Sequence, residues 1–168
     1  MEKSSLCFCV LETVRENGKR GMIYNMKNDD IKILQEVQKN SGMAMKAINS
    51  ISPKVYDDDL AVQISRQGMK YSEIYNKATD KLLEGKAPSY QDSGFQDMML
   101  KGGIKSNTFF NTSTSHIAEL MIQGSNRGLT DMWKIINHHE NAGNVSMEIA
   151  KELMDFEEKN IERLKKYL

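Results

Sequence analysis

DDDLAVQISRQGMKYSEIYNKATDKLLEG, residues 57–85, is the stretch that decides the fold. Its inward-suited positions are Leu60, Ile64, Gln67, Tyr71, Ile74, Ala78 and Leu82, at intervals of 4, 3, 4, 3, 4 and 4. Those intervals are helical and close to a coiled-coil seam. Asp57, Asp58 and Asp59 suit the positive N-terminal end of such a helix. Gly85 and then Pro88 stop it. The helix is roughly 40 Å long at 1.5 Å per residue. A rod with one apolar stripe cannot bury that stripe alone, so partners of similar length are required.

Upstream, Ile31, Leu34, Val37, Ser41, Ala44 or Met45, and Ile48 mark a second stripe. It predicts a helix from about Asp29 to Ile51, capped by Asn28 and broken by Ser52-Pro53. Downstream, Ile104, Thr108, Asn111, Ser115, Ala118, Ile122, Ser125, Leu129, Met132 and Ile136 keep the same period. They predict one long helix from about Ile104 to His138. The polar run Asn111 to Ser115 has weak helix propensity, and a kink near Thr112 to Ser115 is the alternative. After the turn Asn141-Ala142-Gly143-Asn144, a last helix runs from about Val145 to the end. Its inward positions are Val145, Ile149, Leu153, Phe156, Asn160 and Leu164.

Four helices, two joined by a short link at each end of the chain, predict an all-α antiparallel four-helix bundle. The bundle covers 28–168. Residues 1–27 carry no sustained period and read as a flexible N-terminal extension, with Met22 or Met26 as a possible natural start. Only two prolines interrupt the chain, and twelve methionines supply core volume.

Charge is balanced, with 23 Lys and Arg against 23 Asp and Glu. Such a chain lacks the bulk field that draws proteins to nucleic acid or anionic lipid. The apolar run Leu6 to Leu11 is too short to span a bilayer. Cys7 and Cys9, the two cysteines, imply no disulfide framework. A cytoplasmic protein that binds neither nucleic acid nor membrane is expected.

Chemical candidates are few. Di-iron bundles draw ligands from Glu-x-x-His pairs, and no Glu here has His three residues later. His116 and Glu119 share a helix face in the reverse order. With Glu36 and Glu152 from neighbouring helices they form the candidate site for a transition metal ion. The simpler reading leaves His116 hydrogen-bonded near Ser113 and Ser115, with no cofactor. Gln67, Tyr71, Asn111 and Ser115 lie on apolar stripes and suggest a polar core layer. That layer either fixes helix register or forms a small-ligand pocket. Gly124 and Gly128 weaken the third helix, by about 1 kcal/mol each relative to alanine. Close approach of a neighbouring helix, in the bundle or from another subunit, would explain them. No phosphate-cradling Gly-Lys-Ser/Thr loop and no Gly-x-Ser-x-Gly elbow is present.

Three stretches carry a family likeness: Asp30 to Val37 (DIKILQEV), Ser113 to Ser125 (STSHIAELMIQGS) and Asn160 to Leu168 (NIERLKKYL). In these the chain resembles small bacterial members of the ferritin-like four-helix-bundle superfamily, over about residues 28–168. The resemblance implies the fold. The superfamily's Glu-x-x-His ligands are missing, so it implies no metal site and no ferroxidase or oxygenase chemistry. The resulting expectation is a non-catalytic binding or structural module that self-associates as a homo-oligomer. The alternative is a divergent metal-binding bundle using His116 and Glu119.

Overall fold

The computed structural model describes residues 26–91 and 111–168. All regular structure among them is helical, and the helices pack as a four-helix bundle. Residues 1–25 of the expected extension over 1–27, with Cys7 and Cys9, and also Ile104 and Thr108, lie outside the described residues.

Helix α1 spans Asn28–Ile51 and is followed by a 3₁₀ turn, Ser52–Lys54, with Pro53 in its first turn. Asn28 was expected to cap α1, but it is the first helical residue. Lys27 holds the cap position without a side-chain bond. Helix α2 spans Asp58–Glu84, and the Asp57 carboxylate accepts from Leu60 N at 2.8 Å. Every position of the expected α2 stripe, Leu60 through Leu82, is buried.

Helix α2 ends in a Schellman arrangement. Ala87 N donates to Leu82 O and Lys86 N to Leu83 O. The left-handed residue there is Lys86, at φ 51°, rather than Gly85. Gly85 is needed for space: a Cβ on it would lie 2.7 Å from Met26 Cε.

Helix α3 spans Thr114–His138, which corrects the expected long helix from Ile104. Asn111, Thr112 and Ser113 are not helical. The Asn111 Oδ1 accepts from Ser113 N at 2.9 Å, and Ser113 Oγ accepts from His116 N at 3.3 Å. Short polar side chains bonding to their own backbone compete with the helix, and here they start it instead. Helix α4 spans Asn144–Leu164 and finishes in a 3₁₀ turn, Lys165–Tyr167. Its expected stripe needs two corrections: Val145 is half exposed, and Glu157 rather than Phe156 is the buried position.

Helix α1 packs along α2, and α3 along α4. Helix α1 also meets α3 and α4, and α2 meets α4. The core is one apolar cluster. Ile33, Leu34 and Val37 come from α1, Leu60, Ile74 and Leu82 from α2, Ile117 and Met132 from α3, and Leu153 and Leu164 from α4. No helix among the described residues is long and apolar enough to cross a membrane.

The two glycines of α3 have different reasons. A Cβ on Gly128 would lie 3.3 Å from Asn40 Oδ1 and 3.5 Å from Glu157 Oε1, so this glycine admits polar side chains from two neighbours. Gly124 is exposed, and a Cβ there meets nothing within 4 Å. The expected close approach holds at Gly128 only. Gly124→Ala is therefore expected to stabilise the chain by about 0.5–1 kcal/mol, read as a raised midpoint in urea unfolding. A lowered midpoint would show that the position is crowded after all.

Candidate functional site

Midway along the bundle, polar side chains replace apolar ones. Glu157 of α4 is 3% exposed and accepts from the Tyr71 hydroxyl of α2 at 2.7 Å. Asn160, one turn on, donates through Nδ2 to the Tyr71 oxygen at a long 3.5 Å. The Ser125 hydroxyl of α3 adds a favourable contact to both Glu157 and Tyr71. The Phe156 ring meets Tyr71 edge to face at 5.0 Å and holds it in place.

The layer carries a carboxylate without a cation. Among the described residues no Lys, Arg or His pairs with Glu157. Burial pushes its carboxyl above the usual value, and the bonds from Ser125 and Tyr71 oppose that only in part. Burial, followed by the Glu157 charge, pushes the Tyr71 hydroxyl well above its usual value.

The sign of the pH effect follows. Folded Glu157 holds its proton to higher pH than the unfolded chain does. Its contribution to stability is thus largest below the unfolded value near 4.5 and falls as pH rises toward the folded value. Glu157→Gln removes this fall. Its melting temperature should exceed that of the wild type by a margin that widens as pH rises above about 4.5. A margin that does not change with pH would refute this.

Several polar atoms of the interior lack partners. Both amide atoms of Gln67, Asn160 Oδ1 and Ser41 Oγ are buried and unbonded among the described residues. Each costs about 1–3 kcal/mol unless something not yet bound meets it.

On the α2/α4 seam outside this layer, Glu152 accepts from Lys70 at 2.7 Å and from Lys77 at 2.8 Å. Glu73 pairs with the same two lysines at 2.9 Å each. Lys77 and Lys70 together hold Glu73 down to about 2. Burial tends to raise Glu152, but the two lysines outweigh it and its value is lowered. Glu152 and then Glu73 raise both lysines. Next to this network lies an open groove of about 640 Å³, lined from α2 by residues including Arg66 and Gln67 and from α4 by Phe156, Lys159 and Arg163.

The expected site residues separate into groups. Gln67 and Tyr71 are buried in the polar layer, as their stripe positions require. Asn111 and Ser115 are exposed and take no part in it, because the chain turns into α3 at Ser113. The four metal candidates do not converge. His116 Nδ1 lies 3.5 Å from Glu119 Oε2, and Glu119 is half exposed. Glu36 is bound by Lys39 and Asn40 on α1, while Glu152 is held by the α2 lysines. Among the described residues no group of three or more His, Cys, Asp or Glu side chains could hold a metal ion.

His139, just past the last residue of α3, suits the negative end of the helix dipole. It does so as the C-cap, and its ring also lies 3.1 Å from Asp29 Oδ1, which lowers that carboxyl.

Glu157 was missed as an interior residue. The signal was present in the intervals of 4, 3, 4, 3 and 4 through Ser146, Ala150, Leu153, Glu157, Asn160 and Leu164, all buried. The apolar Phe156 beside Glu157 drew the stripe one residue off. Compared with protein-family models, curated proteins and solved structures, the chain matches none.

Proposed function

We propose that this chain is a non-catalytic binding or structural module, built as an antiparallel four-helix bundle with ferritin-like connectivity, that self-associates. The register of contacts supports the arrangement. Gln38, Gly42 and Ile48 of α1 meet Thr79, Tyr75 and Gly68 of α2, so one number rises as the other falls. Asp29 meets His139 and Asn40 lies by Gly128, a falling order again between α1 and α3. Asp30 meets Ser146, which sets α1 and α4 in one direction. Helices α2 and α3 then run the same way. That order of directions is the one ferritin-like folds use, which supports the reading.

The non-catalytic part rests on the donor set of the central layer. The layer offers one carboxylate, already bonded to Tyr71, with Ser125 and Asn160 beside it. This set suits a hydrogen-bonded spacer that fixes register better than a reacting centre. Self-association draws on the outer face of α2, where Val62, Met69 and Leu83 are exposed at intervals of 7 and 14. That heptad spacing suits a second helix laid along it.

Two measurements on untagged full chain test the reading. Elemental analysis should find transition metals far below one per chain. A stoichiometric metal lost in His116→Ala would instead establish the metal-binding alternative. Light scattering at tens of micromolar should give a dimer or larger, and a monomer would remove self-association from the proposal.

A further inference from the structure

The groove between α2 and α4 has an unbalanced charge. Five basic and three acidic side chains line it, although the whole chain is neutral. At one end Lys70 is already committed to Glu152 and Glu73. At the other end stand Arg66 on α2 and Lys159 and Arg163, one turn apart, on α4. None of these three has a hydrogen bond or ion pair among the described residues.

Beneath them lies Gln67, 2% exposed, which lines the same groove. Its amide nitrogen and oxygen both lack partners among the described residues. An apolar residue would fill a stripe position at no such cost, so the amide calls for a partner that enters from outside. Phe156 provides apolar surface at the same place.

We propose that this groove binds a small phosphate-bearing molecule. Arg66, Lys159 and Arg163 hold the phosphate, and the Gln67 amide meets a polar edge of the remainder. The surplus of two positive charges matches a phosphate dianion rather than a single carboxylate. Guanidinium forks suit the several oxygens of phosphate. The unliganded amide is covered, so entry of the ligand shifts the side chains above it. This proposal rests on the binding-module reading and gives that module its ligand class.

Inorganic pyrophosphate is the probe, titrated into isotope-labelled full chain at low ionic strength and followed by NMR. Saturable shifts with one site per chain are expected, including the Gln67 side-chain amide. Arg66→Gln with Arg163→Gln should weaken binding by about tenfold or more, since two charge-assisted contacts are lost. Both residues are exposed, so the variant keeps its fold. The control Lys32→Gln with Lys86→Gln removes two exposed charges outside the groove and should bind as the wild type does. Gln67→Leu should stay folded and bind several-fold more weakly.

Absence of saturable shifts overturns the proposal, as does equal weakening in the control pair. Acetate shifting the same resonances as strongly would replace phosphate by carboxylate. Binding of heparin but not pyrophosphate would mark a polyanion surface instead. Unchanged binding in Gln67→Leu would remove the amide from the site. Metal content and oligomeric state, read on the same preparation, show whether the bundle reading stands when the groove fails.

Discussion

Replacing Asp30 with alanine is expected to cost about 3 kcal/mol, a fall of about 10 °C in melting temperature for a chain of this size. Asp30 lies in the first turn of α1 and is 5% exposed. Its Oδ1 accepts from Gly143 N at 2.7 Å and from Ser146 Oγ at 2.6 Å. Gly143 is the N-cap of α4 and has no side chain to cap the helix itself. Asp30 therefore caps α4 from a different helix, and its negative charge faces the positive end of the α4 dipole. Alanine leaves the buried Ser146 hydroxyl and the part-buried Gly143 N–H at the start of α4 unmet. Asn can still accept both bonds but lacks the charge, so Asp30→Asn should lose about a third as much, roughly 1 kcal/mol. Urea unfolding of the two variants measures this. Equal and small losses, within about 0.5 kcal/mol of the wild type, would show that the cap is not used.

The second large effect belongs to Tyr71→Phe, expected to destabilise by about 2 kcal/mol at neutral pH. The ring stays and keeps its edge-to-face contact with Phe156, so packing changes little. What is lost is the 2.7 Å donor to Glu157, whose carboxylate then stays buried with only the Ser125 contact. Removing one partner of a buried charged bond costs more than the bond itself contributes. The loss should shrink at low pH, where Glu157 carries its proton. It should also shrink in the Glu157→Gln background, because the charge that needs the donor is gone. A double-mutant cycle at two pH values reads both effects. Additive losses, unchanged by pH, would mean that the hydroxyl and the carboxylate do not depend on each other.

These residues show where local reading stops. Asp29 and Asp30 read in the sequence as charges favouring the start of α1, which they are. Their larger contacts are with His139 and with Gly143 and Ser146, more than 100 residues away along the chain. Nothing local to residue 30 says that α4 begins with a glycine that needs a cap. Asn111 and Ser115 show the reverse. Their spacing fits the α3 stripe, but short polar side chains at 111–113 bond to nearby backbone and set the helix start at Thr114.

What the sequence determined by itself was the helical class and most of the stripe of each helix. A 3.6-residue repeat and the turn chemistry of glycine, proline and aspartate act within a few residues, so they are legible in order along the chain. The α2 stripe was complete down to its two polar members, Gln67 and Tyr71. Only the tertiary structure decided which polar groups meet. It set Glu157 against Tyr71, gathered Arg66, Lys159 and Arg163 on one groove, and kept Glu36 and Glu152 away from the His116 and Glu119 pair. Those outcomes depend on how each helix is rotated and offset against its neighbours. Packing of four apolar faces at once sets that geometry, and no single helix carries it.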